Sequence, residues 1–229
     1  MPRYDFILLD ADRTLFDFDK AEDLALTAVL EARGLPATEE IKAVYREENH
    51  KAWALFEQGK VTKPQLTVLR FRSFLERVGL ESDAETMNRD YTANLSTHCI
   101  PLGPSEEVCR LLAGHCRLSI VTNGLSVVQH GRMDRCSFRS CFADLFVSED
   151  LGCQKPQKEY FDAVAACIPG FDPARALVVG DSIESDIRGA NHAGLDCVWF
   201  NPKGQPLPAG VTATYIISDL NDLPKIILK

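Results

Sequence analysis

Six short apolar runs punctuate the chain: FILLD, RLSIVTNG, DLFVSED, ALVVGDS, DCVWF and TYIIS. Each has strand length, and most are apolar at consecutive rather than alternate positions, as in strands buried on both faces of a parallel sheet. Helical spacing fills the intervals. VVQHGRMDRC follows Ser126; Phe161, Val164, Ala165 and Ile168 follow Pro156; a further helix is predicted from Ile183 through Ile187 to Ala190. Strand–helix alternation of this kind predicts an α/β fold with a doubly wound parallel sheet.

One segment breaks the alternation. Residues 19–95 carry helix signal and no strand. DKAE at 19–22 has the form of a capping box, with Gly34 as the stop. A second helix places Ile41, Val44, Tyr45, Ala52, Leu55 and Phe56 on one face and ends near Gly59. TKPQ at 62–65 opens a third, which Gly79 closes, and SDAE at 82–85 starts a fourth through Met87, Tyr91 and Leu95. The expected organisation is therefore an α/β core, 1–17 and 97–229, with an all-helical four-helix module, 18–96, inserted after the first strand. NPKGQPLPAG at 201–210 is expected to be an exposed loop.

Bulk properties narrow the partners. The chain has 229 residues, 45% of them hydrophobic, and a net charge of −8 without a block of Lys or Arg. That argues against a nucleic-acid polymer or an anionic membrane as partner. No apolar run has membrane-span length, and MPRYDFILLD lacks a signal-peptide layout. The eight cysteines are scattered, with no CxxC pair. They are expected to be buried, small, apolar residues of a reduced, cytoplasmic protein.

Ligands of open parallel sheets bind beyond the carboxyl ends of the strands. Asp10 and Asp12 follow FILL, Thr122 and Asn123 follow LSIV, Lys155 comes soon after LFVSED, and Asp181 follows LVVG. Taken singly, Asp12 fits a turn, Thr122-Asn123-Gly124 another turn, Lys155 the surface and Asp181 a helix cap. Taken together, they deliver polar groups to one rim from every strand that can be placed.

This ordered set resembles the haloacid dehalogenase (HAD) superfamily of phosphatases, and the resemblance spans essentially the whole chain. DADRT matches the superfamily's Asp-x-Asp-x-Thr motif, SIVTNG its hydrophobic run ending in Thr, QKPQKEYF its lysine motif, and GDSIESD its acidic pair, Asp181 and Asp186. The helical insert matches a C1-type cap. Arg13 departs from the pattern, since Gly or Glu is more usual there, and the local turn and field are expected to differ. The resemblance implies Asp10 as a nucleophile forming an aspartyl-phosphate, and Asp12 as general acid and then general base. It implies Mg²⁺, with Mn²⁺ as a substitute, held by Asp10, the Asp12 carbonyl and Asp181, with Asp186 supporting its waters. Thr122, the Asn123 N–H and Lys155 would bind the phosphoryl group.

Asp12 favours a phosphatase over the haloalkanoate dehalogenases of this fold, which lack that second aspartate. A receiver-type phosphoacceptor places its acidic pair before the Thr and Lys, whereas here Asp181 and Asp186 come last. A GDS-type serine hydrolase built on Ser182 needs a downstream His, and only His192 follows, too close to be a natural partner.

The expected substrate is a small phosphomonoester. The stretch NHKAWALFEQGKVTKPQLTVLRF at 49–71 is similar to the noncanonical pyrimidine 5'-nucleotidases of the superfamily. A nucleoside 5'-monophosphate, pyrimidines first, is therefore the expected substrate, with sugar phosphates such as acylneuraminate 9-phosphate second. Trp53 is the expected base-stacking residue, ahead of Phe56, Phe71 and Phe74, which at helical spacing also fit a bundle core. Arg46, Lys51, Arg70 and Arg72 fit a solvated face.

Overall fold

The computed structural model describes residues 2–229. All six apolar runs form strands: β1 (Phe6–Leu9), β2 (Arg117–Thr122), β3 (Phe142–Val147), β4 (Ala176–Gly180), β5 (Asp196–Phe200) and β6 (Tyr215–Ile217). They make one parallel sheet in the order β3-β2-β1-β4-β5-β6. The order reverses direction at β1, so the crevice between β1 and β4 is the topological switch point. Register then aligns the rim. Leu9 pairs with both Ile120 and Val179, and the Asp10 N–H donates to the Val179 carbonyl at 2.8 Å.

The alternation of side chains along each strand sorts them onto two buried faces. Ile7, Leu9, Ile120, Val179 and Val198 pack with Val108 and Leu112 of α5 (Ser105–Ala113) and with Leu223 and Ile227 of α10 (Leu223–Ile227). Leu8, Val121, Val178 and Cys197 pack on the other side with Tyr160, Phe161 and Val164 of α8 (Lys158–Cys167) and Ala190 of α9 (Arg188–Ala193). With both faces covered, strands must be apolar throughout, which is why the runs were continuous.

Between β1 and α5 the chain forms α1 (Phe18–Glu31), α2 (Glu39–Glu57), α3 (Lys63–Val78) and α4 (Ala84–Leu95). They share an apolar cluster of their own, centred on Leu26, Leu30, Tyr45, Phe71, Phe74, Met87 and Tyr91. The α3 ends match expectation: Thr62 and Gln65 form a reciprocal capping box, and Gly79 closes the helix in the left-handed conformation at φ 66°. Two caps differ. Asp17, not Asp19, caps α1 by accepting from Lys20 N at 3.0 Å, and Asp83, not Ser82, caps α4 through Thr86 N at 2.8 Å. In both cases the helix starts at the carboxylate that reaches the third amide along, and capping-box spacing alone could not choose between adjacent candidates.

Helix α5 carried no expectation. The helix predicted from Ile183 begins instead as a π turn, Ile183–Ile187, before α9. The remaining helices are α6 (Ser126–Met133) and α7 (Ser148–Leu151). Only four of the eight cysteines are buried, and all eight are free thiols. No helix among the described residues is long and apolar enough to cross a membrane.

Candidate active site

Asp10, Thr122, Lys155, Asp181 and Asp186 converge at the carboxyl ends of β1, β2 and β4. Lys155 is buried and its ammonium is fully committed: it donates to Asp10 Oδ1 at 2.7 Å, Asp186 Oδ1 at 2.6 Å and the Val121 carbonyl at 2.9 Å. An ammonium has three donors, so Lys155 holds the two carboxylates and supplies charge without a hydrogen left for a ligand. Asp186 also accepts from Ser182 N at 3.1 Å, and the π turn brings it inward: a Cβ on Gly180 would stand 2.2 Å from its Cγ. Gly180 is there because backbone and carboxylate approach too closely for any side chain.

Asp181 completes the group. One oxygen from each of Asp10, Asp181 and Asp186 lies within 4.8 Å of the others. Three carboxylates face one ammonium, with the Arg13 guanidinium near enough to act on Asp181, so the site is still short of positive charge. Burial, then Asp186, pushes the Asp181 carboxyl up to about 7. Burial likewise raises Asp10 well above its ordinary value; Lys155 opposes this, and Asp186 and Asp181 add to it. Burial alone would lower Lys155, but Asp10 and Asp186 outweigh it and keep the ammonium charged.

Thr122 Oγ1 accepts from Gly124 N at 3.0 Å, which leaves its own O–H to donate. Asn123 does something not expected of it. Its side chain brackets the Lys155 backbone, donating to the Lys155 carbonyl at 2.8 Å and accepting from Lys155 N at 3.0 Å. This ties the β2 loop to the lysine loop.

The Asp12 side chain stands outside the acidic cluster. Gln129 Nε2 donates to Asp12 Oδ2 at 2.7 Å, and Arg132 Nη1 donates to Oδ1. Between the two aspartates and Thr14 the chain turns sharply, and Arg13 adopts φ 64°, the left-handed region where glycine is favoured. Its side chain leaves the turn to pair with Asp19 at 2.7 Å and to lie over the Phe18 ring. A glycine would adopt that backbone conformation without the steric cost an arginine bears.

The insert reaches this rim. Lys63, which sequence alone did not single out, donates to the Gly124 carbonyl at 3.0 Å and to Ser148 Oγ at 2.8 Å, and burial lowers it to about 8. Trp53 is half-buried, edge-on to Phe56 at 5.7 Å in a small cluster with Ala52 and Leu66, apart from the main insert core. Phe71 and Phe74 are fully buried in that core and offer no face to a ligand. Arg70 does not lie on a solvated face. It is buried, donating to Asn49 Oδ1 at 3.2 Å and Asn88 Oδ1 at 2.7 Å, while Asn49 donates to the buried Glu22 at 2.7 Å. The serine-hydrolase alternative also fails: Ser182 Oγ accepts from Ser185 N at 3.2 Å, and His192 Nδ1 partners the Pro156 carbonyl at 3.0 Å.

A family model for haloacid dehalogenase-like hydrolases matches residues 4–194. The chain belongs to that family. Pyrimidine 5'-nucleotidase YjjG of Escherichia coli is 32% identical over 227 residues, covering 99% of each chain. Pyrimidine 5'-nucleotidase PynA of Streptococcus pneumoniae is 32% identical over 221 residues, 96% of this chain and 93% of its own. The crystal structure of the HAD-hydrolase YfnB from Bacillus subtilis, bound to magnesium and revealing interdomain movement, matches with a TM-score of 0.93 at 38% identity over 98% of both chains.

Proposed function

We propose that this hydrolase cleaves phosphomonoesters with the help of Mg²⁺, through an aspartyl-phosphate on Asp10, and that pyrimidine nucleoside 5'-monophosphates are its first substrate class. The observation that carries the reading is the buried Asp10–Lys155–Asp186 group with Asp181, set at the switch point beside Thr122. The division into a core, 1–17 and 97–229, and a cap, 18–96, belongs to the same proposal.

The donor set suits the ion. Asp10, Asp181 and Asp186 offer only carboxylate oxygens, the preference of a small hard cation, and they lack the positive charge such an ion brings. When bound, Mg²⁺ offsets their repulsion and stabilises charge on the phosphoryl oxygens.

The chain's own residues then have distinct tasks. An Asp10 oxygen attacks phosphorus in line; the ester P–O bond breaks as the Asp10 O–P bond forms, and the leaving oxygen takes its proton from Asp12. Water next attacks the same phosphorus and gives a proton to Asp12, the Asp10 O–P bond breaks, and inorganic phosphate leaves. Thr122 O–H and the Asn123 N–H donate to the equatorial oxygens, and Lys155 keeps Asp10 oriented while lending its charge. The nucleotide preference draws on the likeness to PynA and YjjG. Trp53, outside the insert core, is the stacking residue proposed for the base.

A screen of phosphate release tests this, comparing UMP and dTMP with purine nucleotides, sugar phosphates and p-nitrophenyl phosphate. The pyrimidine nucleotides should lead, and excess chelator should abolish release. A wild-type preference for sugar phosphates over all nucleotides would remove the substrate assignment; undiminished turnover in chelator would remove the metal.

A further inference from the structure

Asp12 is gripped on both oxygens from a single helix. Gln129 and Arg132 lie three residues apart on α6, so their side chains leave the same helix face. Both are buried, at 1% and 0% exposure, and each sends a donor to a different Asp12 oxygen.

The arrangement is costly unless it serves Asp12. Arg132 lies over the Phe16 ring at 5.4 Å, and its Nε and Nη2, like Gln129 Oε1, have no hydrogen-bond partner among the described residues. Asp12 is the one carboxylate paired with it there. A buried guanidinium with donors left unpaired is less favourable than an aliphatic side chain of the same volume, so packing alone does not account for it. Space has also been cleared for the pair. A Cβ on Gly124 would stand 2.2 Å from Gln129 Nε2, so a side chain there would push the Gln129 amide out of its place against Asp12.

We propose that Gln129 and Arg132 are positioning residues for the proton-transfer steps: together they fix the plane of the Asp12 carboxylate and couple it to the phosphate-binding loop. The inference rests on the reading of Asp12 as acid and base. A carboxylate offers about four lone-pair sites. The helix occupies two, and the others remain for a leaving oxygen or an attacking water. Arg132 and Gln129 keep their own protons throughout. Because α6 starts at Ser126, shortly after Thr122, displacement of the loop and of the carboxylate are linked. A misplacement of about 1 Å in a reacting group can cost roughly a hundredfold in rate.

The test is a double-mutant cycle read by steady-state and single-turnover kinetics on UMP and p-nitrophenyl phosphate. Arg132→Met and Gln129→Leu should each lower kcat roughly 10- to 100-fold on UMP, with KM changed less than about threefold. The loss should be smaller on p-nitrophenyl phosphate, whose leaving group needs little acid assistance. In an Asp12→Ala background the same substitutions should alter the residual rate by less than about threefold. Equal fold-losses in both backgrounds, or losses carried by KM, would overturn the proposal. If Arg132→Met does not fold, Gln129→Leu, which leaves no unpaired charge, decides by the same criteria. Wild-type kcat in Asp12→Ala itself would instead remove the role of Asp12, so the two failures are distinct.

Discussion

Magnesium should stabilise this protein far more at pH 8 than at pH 5, and the site predicts by how much. Asp10, Asp181 and Asp186 crowd three carboxylates against the single ammonium of Lys155. Burial and Asp186 raise Asp181 to about 7, whereas an unfolded aspartate titrates near 3.9. Without a cation, the folded chain therefore still holds, between about pH 4 and pH 7, a proton that the unfolded chain has already released. The folded state binds more protons across that window, so stability falls as pH rises through it. Bound Mg²⁺ should replace the proton, with its contribution fullest above pH 7. At pH 8 and about 100 times Kd, a ligand specific to the folded state adds about 2.7 kcal/mol. In a chain of this length about 1 kcal/mol moves Tm by roughly 2–4 °C, giving a rise of about 5–11 °C. At pH 5 a competing proton on a group titrating at about 7 weakens apparent affinity roughly a hundredfold, so the same Mg²⁺ stands near Kd. It then contributes only about 0.4 kcal/mol, a rise of about 1–2 °C. Thermal melts in chelator and in Mg²⁺ at both pH values measure this directly, with Asp181→Asn as the control expected to lose the pH 8 shift. Equal shifts at the two pH values, or none at pH 8, would refute the reasoning.

Other consequences are as direct. Asp10→Asn should leave a folded protein, by circular dichroism, with turnover reduced to background, because an amide does not attack phosphorus; near wild-type phosphate release from protein free of host phosphatases would dismiss Asp10 as nucleophile. Gly180→Ala should lose roughly 1–3 kcal/mol in urea unfolding, since its Cβ would stand 2.2 Å from Asp186 Cγ, and should lose activity as Asp186 is displaced. An unchanged urea midpoint would show that the π turn yields without strain. Trp53→Ala should lower kcat/KM for UMP or dTMP roughly 5- to 150-fold, the value of about 1–3 kcal/mol of base stacking, with a much smaller loss on p-nitrophenyl phosphate. Equal losses on both would make Trp53 a packing residue.

Much of this architecture is local in origin, and that part was legible in the sequence. Continuous apolar runs made all six strands, because a sheet covered on both faces buries every position of a strand. Thr62, Gln65 and Gly79 announced the ends of α3, because capping and a left-handed stop are settled within one turn of chain. The rim residues were legible for a related reason. A polar residue at the end of a buried strand or just past it must emerge at the sheet's end, so the strands alone placed Asp10, Thr122 and Asp181 at one rim. What tertiary structure alone decided is how buried charges are paired. Arg70 reads as a surface arginine on α3 until α2 and α4 close over it and supply Asn49 and Asn88. Lys63 begins a helix in the insert yet ends against Gly124 and Ser148, across the join. Arg132 lies 120 positions from Asp12, and nothing in QHGRMDR marks which arginine turns inward. Helix periodicity places a residue on a face. Its partner depends on sheet order and on how the insert folds back over the rim, and these are settled only when the whole chain has closed.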